Sequence, residues 1–134
     1  MPIAGSACSA TLRVETADGV IYARVGGVVT LAVIEAIRAK MAPALQGARA
    51  ICLDYTGAVL ALTQQDVDVL ALAAAPGANQ LAIAWVVADE ATAAAWRLQA
   101  LRFALAGLRR MATTDRQAAR LWARRQSTAT ATQQ

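Results

Sequence analysis

The run Leu81-Ala82-Ile83-Ala84-Trp85-Val86-Val87 limits the fold more than any other segment. It is apolar over all seven positions, and its large side chains Leu81, Ile83, Trp85 and Val87 alternate mainly with alanines. Such a segment reads as a strand covered on both faces, with one face thin enough for a helix to approach closely. The chain must therefore supply helices for both sides of a sheet. With 134 residues, 57% of them hydrophobic and 16% charged, it can do so as one domain, with no metal or disulfide staple.

The flanking segments supply the other elements. Leu12 to Thr16 and Val20 to Val25 are β-rich runs separated by Ala17-Asp18-Gly19, whose Asp-Gly has the positive-φ chemistry of a tight hairpin. Thr30 can cap a helix carrying Val33, Ile34, Ile37, Met41 and Leu45 at the spacing of one buried stripe. Pro43 and Gly47 mark its end. Ala50 to Tyr55 reads as a short strand. Thr63 with Asp66 approximates a capping box before Val67, Leu70 and Ala74, and Pro76-Gly77 closes that helix.

Beyond the apolar strand, a helix from Ala91 to Leu108 places Leu98, Leu101, Ala104, Leu105 and Leu108 on one side, with Arg97 inside that arc. Gly107 suits its end, Arg110 to Thr114 reads as a strand, and Asp115 can cap a last helix through Arg125. The expected order is β-β-α-β-α-β-α-β-α, a single α/β domain with a mostly parallel sheet and an antiparallel N-terminal strand. Residues 1–10 are expected to be a flexible N-terminus, 11–125 the domain and 126–134 a disordered tail lacking apolar anchors.

Several functions are argued against by what the chain lacks. There is no histidine, which removes Ser-His-Asp and Cys-His nucleophilic systems and His-containing zinc sites. No set of acid, base, nucleophile and anion-hole donor can be assembled, so the chain is expected not to be an enzyme and to need no cofactor or metal. Cys8 and Cys52 are neither a disulfide framework nor a ligand spacing, and with no leader pattern before Cys8 the expected compartment is the cytoplasm. Val69 to Ala88 is 20 residues without a charge, but Pro76-Gly77-Ala78-Asn79-Gln80 at its centre reads as a turn between two elements, so no transmembrane segment is expected.

The net charge of +4 is unevenly placed. Residues 1–90 carry five basic and eight acidic side chains, a net −3, and residues 91–134 carry eight and one, a net +7. On the last helix Arg116, Arg120 and Arg124 recur every four residues, opposite Ala118, Leu121 and Trp122. They form a candidate basic surface for an acidic protein partner. No aromatic residues interleave with them, which argues against nucleic acid.

The ordered series of elements, together with Val25-Gly26-Gly27-Val28-Val29-Thr30, the segment Asp54 to Thr63 and the closing Asp115-Arg116-Gln117-Ala118-Ala119-Arg120-Leu121-Trp122, resembles the sulfate-transporter and anti-sigma-factor-antagonist (STAS) superfamily. It is most similar to the SpoIIAA-like branch of small bacterial proteins, over Val14 to Ala123. The resemblance implies a regulatory domain that binds a protein partner or self-associates. It also implies a switch loop, in which an Asp-Leu-Ser-Gly-like strand end precedes an Asp-Ser-Ser-Gly turn with a phosphoacceptor serine. Asp54, Thr56 and Gly57 match the first half. Thr63 matches the first serine of the second, and Gln64 replaces the acceptor, so the phosphoswitch is expected to be absent. From the residues themselves, Asp54 reads as a turn-former binding backbone N–H groups and Thr63 as a helix cap. Trp85, Trp96 and Trp122 read as core. The alternative to protein recognition is a small apolar ligand, such as a lipid, held between apolar helices.

Overall fold

The computed structural model describes residues 10–66, 81–105 and 107–133. Five strands, β1 (Thr11–Ala17), β2 (Val20–Val29), β3 (Ala50–Leu60), β4 (Ala82–Val86) and β5 (Arg110–Thr113), form one sheet in that order. β1 pairs antiparallel with β2 and all later neighbours are parallel. The helices are α1 (Leu31–Leu45), α2 (Glu90–Leu105) and α3 (Arg116–Gln133), and residues 64–66 begin a further helical turn. This is the expected single α/β domain. The remainder of the helix expected before β4, with Val67, Asp68, Leu70, Ala74 and Pro76-Gly77, lies outside the described residues, as does Cys8. Of the N-terminal segment expected to be flexible, Ala10 is described, and it is buried.

Local chemistry accounts for the element ends. Asp18 and Gly19 have φ of 55° and 79°, the pair of positive values that a two-residue type I′ turn requires. A Cβ at Gly19 would also lie 2.9 Å from Ser127 Oγ, so a larger residue there would require the Ser127 side chain to shift. The Val33 amide donates to Thr30 Oγ1 at the start of α1. At the end of α2, the Gly107 amide donates to the Ala104 carbonyl and the Leu108 amide to the Phe103 carbonyl, a Schellman closure with Gly107 at φ 83°. Asp115 Oδ1 accepts from the Gln117 and Ala118 amides and opens α3.

The two faces of the sheet are built differently. One carries Ile21, Ala23, Val25, Ile51, Leu53, Tyr55 and Trp85 and is covered by Val33, Ile34, Ile37 and Met41 of α1 and by Phe103 and Trp96 of α2. The other carries Val20, Ala50, Cys52, Ala82, Ala84 and Val86 and is covered by Ala119 and Ala123 of α3. The alanines of β4 are the thin face that lets α3 approach.

Four expectations are corrected. α2 is turned so that Ala93 and Phe103 are buried and Trp96 packs on Trp85 and Tyr55, while Leu98, Leu101 and Leu105 point outward at 64%, 63% and 91% exposure. Two large rings seven residues apart bury more apolar surface than the leucines, and they set the rotation. α3 packs through Ala119, Ala123 and Ser127, leaving Ala118 and Leu121 exposed. It also continues past Arg125 to Gln133, where a disordered tail was expected, held in part by buried Ser127 donating to the Asp18 carbonyl. β3 extends beyond Tyr55 to Leu60, pairing there with β2.

Candidate functional site

The sheet register creates a polar cleft on the α3 side. Because the β1–β2 loop has two residues, Arg13 sits directly across from Arg24 and Glu15 across from Tyr22. On the next strand Tyr22 is beside Cys52 and Arg24 beside Asp54. Side chains alternate along a strand, so these six share one face. α3 covers β3 and β4 through its alanines and leaves the β1–β2 end open. Arg116 and Arg120 on its near side close the rim of a cleft of about 260 Å³ lined by Arg13, Glu15, Tyr22, Arg24, Cys52, Asp54, Arg116 and Arg120.

Asp54 is the anchor of this cleft. A bulge opposes Tyr55 and Thr56 of β3 to the single residue Val25 of β2. Tyr55 stays in the apolar core, while Asp54 Oδ1 accepts from the Thr56 amide (2.9 Å) and the Thr56 hydroxyl (2.6 Å). Its other oxygen accepts from Arg116 Nε at 2.6 Å and lies 3.7 Å from Arg24 Nε. Arg116 Nη2 also donates to Thr56 Oγ1. Burial pushes the Asp54 carboxyl up, but the hydrogen bonds from Thr56 and Arg116 outweigh it and hold the group below its ordinary value. The bonding expected of Asp54 to a backbone N–H is present, within the strand and not in a turn.

The basic residues of α3 do not act as one solvated row. Arg116 is committed to Asp54 and Thr56. Arg120 lies over the Tyr22 ring, 4.5 Å from its centre. Arg124 lines a second, wider opening of about 640 Å³ on the outer flank of the helix, which shares Tyr22 and Arg120 with the cleft. Among the described residues, no ion pair engages Arg13 or Arg120.

Cys52 reaches the floor of the cleft as a buried free thiol. Burial, reinforced by the Asp54 carboxylate, pushes its thiol up to about 11 despite Arg120 and Arg116 nearby.

The residues matched to a switch loop fall into two groups. Asp54 and Thr56 meet at Arg116, and Gly57 follows on exposed strand. Thr63 and Gln64 sit at the start of the next helical turn. There the Thr63 amide donates to Asp66 Oδ2 at 3.0 Å and the Asp66 amide to Thr63 Oγ1 at 3.1 Å, a reciprocal capping box.

Sequence reasoning missed Arg13, Glu15, Tyr22, Arg24 and Cys52. The signal for four of them was present: a two-residue loop at Asp18-Gly19 fixes the pairing of 13 with 24 and of 15 with 22.

No protein-family model and no curated protein matches the sequence. Among solved structures, an uncharacterized protein of the DUF3478 family with a SpoIIAA-like fold, from Shewanella loihica PV-4, matches with a TM-score of 0.58 and 16% identity over 90% of this chain and 98% of its own. The anti-sigma factor antagonist SpoIIAA in its unphosphorylated form matches with a TM-score of 0.39 and 14% identity over 66% of this chain and 98% of its own. The first of these shows the fold: the chain is a SpoIIAA-like α/β domain, as the sequence resemblance implied. Among the described residues, no helix is long and apolar enough to cross a membrane.

Proposed function

We propose that this chain is a non-catalytic regulatory domain that works by binding an acidic protein partner, with the arginine-lined cleft and the adjoining flank of α3 as its contact surface. The observation that carries the reading is the charge of the cleft. Arg13, Arg24, Arg116 and Arg120 face only Glu15 and Asp54, and neither Arg13 nor Arg120 has an ion-pair partner among the described residues. An open, positively charged groove attracts acidic surfaces and speeds their docking. The serine phosphoswitch is absent in this reading. Gln64 has no hydroxyl where the acceptor would stand, and the Thr63 hydroxyl serves the capping box. The proposed compartment is the cytoplasm, in keeping with the buried free thiol of Cys52.

Calorimetric titration with a polyglutamate peptide tests the surface. Binding should be measurable at low ionic strength and should fall both with added salt and in the Arg13→Gln/Arg24→Gln double variant. Affinity indifferent to salt and to both substitutions overturns the reading.

A second reading rests on a different place. Leu98, Leu101 and Leu105 give α2 an exposed apolar ridge, and ridges of this kind mark binding surfaces. A small apolar ligand held there would stay with the purified protein in native mass spectrometry, or acyl ligands would raise its melting temperature. A ligand-free mass with no thermal response to a lipid panel removes this reading.

A further inference from the structure

Arg13 and Arg24 stand directly opposite each other in the antiparallel pair. Like charges in that position destabilise a sheet, whereas an apolar or oppositely charged pair would strengthen it. The neighbouring carboxylates do not resolve the conflict. Asp54 is turned toward Arg116 at 2.6 Å and reaches Arg24 only at 3.7 Å, and Arg13 has no ion-pair partner among the described residues. Arg120, across the cleft, lies over the Tyr22 ring at 4.5 Å from its centre and so is already positioned. Three guanidinium groups thus border one small space from three sides, two strands and a helix.

The size and charge of that space narrow what fits it. At about 260 Å³ it lies below the usual range of drug-sized pockets and suits one compact anionic group with a small attachment. Four arginines against two carboxylates leave a surplus of two positive charges on the lining. A single carboxylate brings one negative charge, whereas a phosphomonoester brings about two together with three acceptor oxygens. Guanidinium forks match those oxygens in pairs.

Resting on the reading of this cleft as the recognition surface, we infer that the space bounded by Arg13, Arg24 and Arg120 is a receptor for one phosphomonoester dianion, borne on a partner's phosphorylated side chain or on a small molecule. An anion seated there neutralises the Arg13–Arg24 repulsion, and the Asp54–Arg116–Thr56 network forms the fixed wall behind it.

The test is a titration followed by two-dimensional NMR, with free phosphoserine, a phosphoserine-containing peptide and the same peptide with glutamate in place of phosphoserine as probes. Both phosphorylated probes should bind saturably, the glutamate peptide roughly tenfold more weakly, and Arg13→Gln or Arg24→Gln should each weaken phosphoserine by about the same factor. Arg125→Gln, elsewhere on α3, should leave phosphoserine binding unchanged. Arg24→Lys keeps the charge without the fork and should fall between wild type and Arg24→Gln. Each variant is first shown to be folded by its spectrum. Peptide binding much tighter than that of free phosphoserine assigns the group to a protein, and equal affinity assigns it to a small molecule. No saturation by either phosphorylated probe, or equal affinity for the glutamate peptide, overturns the inference. In those cases salt-sensitive polyglutamate binding would leave the acidic-partner reading standing. Conversely, saturable phosphoserine binding without polyglutamate binding would remove the acidic-partner reading alone.

Discussion

The two faces of the sheet use the same strands for opposite purposes. Under α1 and α2 the residues are large and interlocked: Trp85 stands edge-on to Trp96 at 5.1 Å between ring centres and tilted to Phe103 at 5.9 Å, and Tyr55 meets Trp96 at 5.9 Å. Under α3 they are small where the helix is close and charged where it is not. Ala82, Ala84, Ala119 and Ala123 are fully buried, and further out come Tyr22 and Arg24 on β2, two strands from β4, and Arg13 and Glu15 on β1 beyond them. The first face supplies stability through buried area. The second brings a helix near and then stops covering the sheet, which leaves a cleft bordered by rigid strands. The proposed recognition surface therefore falls on the face with less apolar material to bury.

Substitutions on the two faces should separate these roles. Trp85→Ala removes the ring at the centre of the aromatic group and should destabilise by about 4 kcal/mol in a denaturant titration. Phosphoserine affinity should be unchanged wherever the variant remains folded. Ala84→Leu on the other face overfills the contact between β4 and α3 and should cost about 2 kcal/mol. Because it pushes α3 outward, it should also weaken ligand binding, a coupling that Trp85→Ala should lack.

Asp54→Asn probes the wall of the cleft. Replacing a carboxylate that accepts from Arg116 and Thr56 should cost roughly 2 kcal/mol near neutral pH. The folded-state value of Asp54 is lowered from 3.8, so its contribution is complete above the ordinary carboxylate range. It should fade as pH drops through that range toward the folded value. Wild type and Asp54→Asn should thus converge in stability in acid, as thermal melts at stepped pH would show. A gap that persists unchanged to low pH contradicts the charged network. Thr63→Ala, remote from both faces, should cost about 1 kcal/mol by removing one half of the capping box, with binding unaffected.

How far the sequence led can be judged from the same regions. The Asp18-Gly19 hairpin, the caps at Thr30, Thr63 and Asp115 and the alanine face of β4 were legible because each depends on residues adjacent in the chain. The rotation of α2 was not. Its leucines and its rings both recur at helical spacing, and only the presence of Trp85 and Tyr55 opposite decides which set turns inward. The arginine cleft was half legible: cross-strand pairing follows from the turn, but Arg116 reaches Asp54 across 62 residues of sequence, and the docking of α3 settles that contact. Arg116 therefore read as a surface charge beside Arg120 and Arg124, though it is the partner of a buried carboxylate.

The claim that recognition belongs to the α3 face is tested most directly by mapping backbone amide shifts during titration with the phosphoserine peptide. The account predicts saturable shifts confined to Arg13 and Glu15 of β1, Tyr22 and Arg24 of β2, and Arg116 to Arg120 of α3. Shifts centred on Leu98, Leu101 and Leu105 of α2, or no saturable shift on either face, would contradict it.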